Sequence, residues 1–237
     1  MGGNIDELTR DEAAQMLRWW VEAGVDVAVS EEPRDWLKKA APARAAVIAA
    51  DISPPSLQEL PSDFNAFRFY LETATGLPLD RAGARRVLPH GLAGAKIMLL
   101  SDMPAREDAV DNQPLGGEAW LLATKMLAAI GMTPDDAYSA SLACFHAPGA
   151  RLDEAELAQC ADIARRHVEL VKSERLLLLG EGPARALLGD KLTTVRGHVH
   201  KIAGVRTVAT FHPRWLLQRP GDKALAWRDL LLLMDEA

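Results

Sequence analysis

Four short apolar runs, at 97–100, 138–145, 176–179 and 205–210, alternate with stretches of helical periodicity. The first helix, at 117–130, puts Trp120, Ala123, Leu127 and Ile130 on one face and stops at Gly131. A second, at 153–172, repeats Leu157, Cys160, Ala161, Ala164, Val168 and Val171 at helical spacing. Gly180-Glu181-Gly182-Pro183 leads from the third run into a helix at 184–189, and 213–235 holds the last helical region. Strands that alternate with helices pair in parallel, because a parallel neighbour is reached only through a crossover connection. The pattern predicts a three-layer α/β sandwich with a central four-stranded parallel sheet. In such sheets ligands sit outside the carboxyl ends of the strands. Chemistry is therefore expected after Leu100, Phe145, Leu179 and Thr210.

The first 90 residues read differently. Apolar positions mark a helix at 6–24 ending at Gly24, short helical pieces around 34–50, a break at Ser53-Pro54-Pro55 and a helix at 56–75. This predicts an N-terminal helical appendage over 1–90 and an α/β domain over 91–237. Trp19, Trp20 and Trp36 either bury the appendage against the main domain or offer a surface to a partner.

A net charge of −6 argues against a protein that coats nucleic acid with its whole surface. The charge is uneven, however. Between 183 and 219 stand Arg185, Lys191, Arg196, Lys201, Arg206, Arg214 and Arg219 against the one acid Asp190, a stretch on which a polyanion can dock. Cys144 and Cys160 form no metal-ligand spacing and fit a reduced, cytoplasmic protein. No window reaches the roughly 18 apolar residues of a membrane helix, and the opening MGGNIDELTR has no secretory apolar run. No metal or cofactor is expected.

The C-terminal segment carries an ordered set of anchors: Arg196-Gly197, Thr210-Phe211-His212-Pro213, Leu216-Leu217, and Lys223 through Trp227 to Leu230. Upstream stand Met126 through Gly131, Pro148-Gly149 with Arg151, and Gly180 through Ala186-Leu187-Leu188-Gly189. In order and spacing this set resembles the uracil-DNA glycosylases, specifically their iron–sulfur type, over about residues 70–235. The departures from that family fall at the chemistry. Where it has Gly-Glu-Ala-Pro-Gly, two variable residues and Glu-Asp, this chain has Ser101-Asp102-Met103-Pro104-Ala105, Arg106-Glu107 and Asp108-Ala109. The Pro-Phe whose ring stacks on the extruded base becomes Pro114-Leu115, and the Asn that reads the uracil edge becomes Ser141. Of the four cluster thiolates only Cys160 remains, the other positions reading Ala74, Leu77 and Phe145, so a four-cysteine cluster has no ligand set.

The resemblance implies a role for each surviving position. His212 is the stabiliser of the departing base anion. Asp108 is the surviving carboxylate, and Asp102, nearer the strand end, is the second candidate, with turn capping as its alternative role. Met103, Pro104, Leu115, Ser141 and Arg196 fall where base and DNA are contacted. Arg214, Trp215 and Gln218 follow His212 where the family inserts side chains into the duplex. The partner implied is DNA, single- or double-stranded, with a damaged base, and a repair protein is a further candidate. Ser141 cannot present the paired donor and acceptor of an amide, and Leu115 offers no ring, so uracil excision is expected to be weak or altered. The alternative is a non-catalytic homologue that binds DNA or a repair partner. A small-nucleotide hydrolase is disfavoured, because no phosphate-cradling glycine loop follows the first strand.

Overall fold

The structure, a computed structural model, describes residues 60–235. The helices read at 6–24 and 34–50, and Trp19, Trp20 and Trp36, lie outside the described residues.

Four runs become the parallel strands β2 (Ile97–Ser101), β3 (Ala137–Ser141), β5 (Arg175–Leu179) and β7 (Val205–Thr210). They stand in the order β3-β2-β5-β7. Strands covered on both faces read as near-continuous apolar runs, and β2 (IMLLS) and β5 (RLLLL) are of that kind. Alternation along the strand divides the core in two. Met98, Leu100, Leu176 and Leu178 face one cluster; Ile97, Leu99, Leu177 and Leu179 face the other. Helices α1 (Phe64–Thr73), α4 (Glu154–Val171) and α5 (Glu181–Leu188) cover the first face. Helices α3 (Gly117–Ala129) and α8 (Lys223–Met234) cover the second. Phe67 and Leu71 of α1 are fully buried, and Phe67 packs its ring against His167 of α4, so α1 completes the first face of the sandwich.

Three details differ from the sequence reading. A fifth strand, β6 (His200–Ile202), pairs antiparallel with β7 at the sheet edge. Its hairpin closes through Ala203 and Gly204, both with positive φ (49° and 82°), as a tight two-residue turn demands. The run at 138–145 is also not one strand. β3 stops at Ser141, and Phe145–His146 forms a separate strand, β4, paired with β1 (Arg85–Arg86) in a small antiparallel ribbon. The last helical region is interrupted too: α7 (Pro213–Gln218) ends before Pro220-Gly221, and α8 begins at Lys223. Among the described residues no helix is long and apolar enough to cross a membrane.

Candidate active site

The carboxyl ends of β2, β5 and β7 open into one cavity of about 440 Å³, a size suited to a small ligand or a single base. Asp102 follows β2, Gly180 and Glu181 follow β5, and Phe211 and His212 follow β7. Leu192 and Thr193, from the short helix α6 (Leu192–Val195), and Arg214, Trp215 and Gln218 of α7 complete the wall.

Asp102 leans on the first turn of α5. Met103 donates its backbone N–H to the carboxylate at 2.9 Å, and Gly182 donates a second. The approach is so close that a Cβ at Gly182 would lie 2.3 Å from Asp102 Oδ1, so a side chain there would displace the carboxylate. Burial pushes the Asp102 carboxyl above the ordinary carboxylate range, against the opposing pull of the two N–H donors.

His212 caps α7. Its Nδ1 accepts the Arg214 backbone N–H at 3.1 Å. An acceptor nitrogen carries no proton, so the neutral ring holds its hydrogen on Nε2. Nε2 is buried and without a hydrogen-bond partner. Burial, and secondarily the Arg214 charge, lower the His212 pKa to about 3. The ring is therefore a neutral donor at physiological pH, with its N–H uncommitted.

Asp108 is wholly buried and does not line the cavity. It sits on α2 (Arg106–Asp111), where its carboxylate accepts the backbone N–H of Ala105 at 2.8 Å and of Gly116 at 2.6 Å and pairs with the Arg214 guanidinium. It braces the loop after β2 and holds a side chain that does line the cavity.

The other sequence-selected residues scatter. Leu115 is 1% exposed, inside the second core cluster. Ser141 is buried, with its hydroxyl 3.2 Å from the Ser101 hydroxyl. Met103 packs on the first core cluster, and the carbonyl of buried Pro104 accepts from His146 Nδ1 at 2.9 Å. Arg196 reaches buried Asp229 at 3.0 Å and the Leu225 carbonyl at 3.1 Å, tying the end of α6 to α8. Its guanidinium also lies 5.1 Å over the Phe211 ring. Phe211 stacks on Trp215 (6.4 Å, 10°), and Arg219 covers the outer face of Trp215 at 4.6 Å. Trp215 Nε1 donates to Asp222 at 2.7 Å. Two stacked rings, each with a guanidinium over it, thus stand together, and Phe211 and Trp215 line the cavity.

Sequence reasoning did not select Phe211, Glu181, Leu192 or Thr193 as site residues. Phe211 and Glu181 stand at strand ends where ligands were expected. Leu192 and Thr193 come from a four-residue helix with no such signal.

The residues at the former cluster positions do not fit an iron–sulfur centre. Cys160 and Cys144 are buried thiols; burial raises Cys144 to about 11 and Cys160 higher still, so neither is a ready thiolate. Ala74, Leu77 and Phe145 pack with the first core cluster. The Arg86 guanidinium donates to the carbonyls of Leu71 and Ala74 (2.7 Å for the latter) and sits 4.5 Å over the Phe145 ring. A cation and apolar side chains therefore stand among positions where the family has thiolates. Among the described residues no group of three or more His, Cys, Asp and Glu side chains could hold a metal ion.

Comparison with known proteins identifies the family. The type-4 uracil-DNA glycosylase of Archaeoglobus fulgidus is 26% identical over 137 residues, which cover 53% of this chain and 69% of that protein. Residues 88–231 match the family model of the Uracil DNA glycosylase superfamily. That stretch takes in all four parallel strands and every lining residue of the cavity, and it makes up more than half of the chain: the protein belongs to the uracil DNA glycosylase superfamily.

Proposed function

We propose that this protein hydrolyses the N-glycosidic bond of uracil or another damaged base in DNA, with altered selectivity. One observation carries the reading: a neutral His212 whose Nε2–H is buried and unpartnered in a base-sized cavity that it shares with a half-buried carboxylate, Asp102.

The target base leaves the stack and enters the cavity. The bond from sugar C1′ to the base nitrogen breaks, and its electron pair leaves with the base as an anion. A preorganised donor aimed at that developing charge lowers the barrier, and His212 Nε2–H supplies one. Asp102 orients a water and accepts its proton as the water oxygen bonds to C1′. Asp102 returns its proton to solvent and the base anion takes one from it, so one water is consumed in all. Ser141, occupied by Ser101, offers no amide pair to read the uracil edge, and Leu115 in the core offers no stacking surface. These two features support a base preference different from strict uracil selection.

The same two features favour the second reading, a homologue that binds DNA without turnover. One assay separates the two. The protein is incubated with single- and double-stranded oligonucleotides carrying uracil, hypoxanthine or xanthine, and abasic sites are then cleaved with alkali. Strand breaks that fall about 10²–10³-fold in His212→Ala support the hydrolase. No breaks at enzyme excess, with DNA still bound, would establish the binding protein.

A further inference from the structure

Arg214 stands apart from the roles assigned so far. It lines the cavity beside His212. Its backbone N–H fixes the tautomer of His212, and its side chain is anchored by Asp108, a carboxylate already held by two backbone N–H groups. A guanidinium has five N–H donors in a fixed fork, and the contact with Asp108 uses only Nη2. Its side chain is 28% exposed, too enclosed to be an ordinary surface arginine.

Resting on the glycosylase reading, we propose that Arg214 acts with His212 as a second stabiliser of the leaving-base anion: a fixed cation that adds to the single neutral donor of His212. As the glycosidic bond breaks, charge collects on the base oxygen and ring nitrogen. His212 can offer that edge one neutral N–H, whereas Arg214 offers a charged N–H fork, and charged donors bind anions about twice as strongly as neutral ones. Its role lies inside the cavity, on the base, rather than in wedging the duplex. Asp108 is then a positioning residue that acts through Arg214.

The charged and titratable groups around the cavity are Asp102, Glu181, Asp108, His212 and Arg214. His212 is neutral above about pH 3 and the guanidinium is always charged, so across the ionisation of a free base this donor pair does not change. Asp102 and Glu181 remain in every variant, and the double change at 108 and 214 removes one negative and one positive charge together, so the net charge beside them is unchanged.

Two measurements test the proposal. In the first, fluorine NMR of free 5-fluorouracil follows its binding to the full chain below and above its own ionisation, which needs no turnover. Wild type should bind the anion at least about tenfold more tightly than the neutral base. The double variant Asp108→Asn with Arg214→Gln, which exchanges the ion pair for an amide pair of similar shape, should lose that preference. In the second, excision of uracil is compared with excision of the more acidic 5-fluorouracil from the same oligonucleotide. Arg214→Gln should lower kcat about 10²-fold on uracil and clearly less on 5-fluorouracil, because a better leaving group needs less stabilisation. Equal losses on both bases, or an anion preference that survives the double variant, would overturn the role of Arg214. Anion preference in a wild type that releases no base would retire the hydrolase and leave the anion site standing.

Discussion

Asp102 and Asp108 are the two carboxylates that the sequence offered as catalytic, and their surroundings assign them different work. Asp108 already accepts two short backbone hydrogen bonds and faces a guanidinium, so it has little capacity left for a water proton. Asp102 lines the cavity, and burial holds its carboxyl above the usual value of 3.8. A base must be ionised to act, so the rate should fall as pH drops through that raised value. The pH profile of kcat/KM should show one acid limb, centred above 3.8 and owed to Asp102, with His212 contributing none because it is neutral down to about 3. An acid limb that persists in the residual activity of Asp102→Asn would place the titrating group elsewhere and contradict that assignment. Asp102→Asn should reduce turnover by about 10²–10⁴-fold while leaving the fold intact.

At the scale of elements, the site depends on three strand ends staying in register and on a short cap, α7, seated on buried Pro213 and Leu216. Arg196 and Thr210 both bond buried Asp229, which pins α8 to the end of β7 and hence to the His212 turn. The edge hairpin of β6 and β7 is less well adapted. Ala203 occupies a left-handed position at φ 49°, where an alanine side chain costs about 1 kcal/mol and asparagine is better tolerated. Ala203→Asn should therefore stabilise the protein by about 0.5–1 kcal/mol in urea unfolding, with excision unchanged. Unchanged or lower stability would mean that the turn relaxes away from this geometry.

For the whole molecule, the basic stretch between 183 and 219 is weaker than its sequence suggests. Arg196 and Arg214 are each neutralised in net charge by a buried acid, Asp229 and Asp108, so neither adds a net positive charge for phosphates. That leaves Arg185, Lys191, Lys201, Arg206 and Arg219 for phosphates on a chain of net charge −6. Each phosphate contact contributes a slope of about −0.9 to log affinity against log salt. DNA binding should therefore show a slope no steeper than about −4 to −5, measured by anisotropy between 50 and 200 mM salt. A steeper slope would place further cations on the DNA, outside this segment.

The sheet was legible because its signals are local. Strands buried on both faces are near-continuously apolar, and crossovers between parallel strands are helical, so β2 and β5 stand out by composition alone. His212 was legible through its place after the last parallel strand and its Pro213 neighbour. The division of labour among the remaining residues was not. Whether Asp102 or Asp108 faces the cavity depends on which backbone N–H groups happen to be free nearby, and those belong to Gly182 in one case and to Ala105 and Gly116 in the other. That Leu115 turns into the core, that Ser141 is occupied by Ser101, and that Arg214 is anchored by an acid 106 positions away are likewise facts of packing between distant segments. Periodicity and capping act within a few residues and so write themselves into the chain. The direction of a polar side chain is decided by partners that only folding brings within 3 Å.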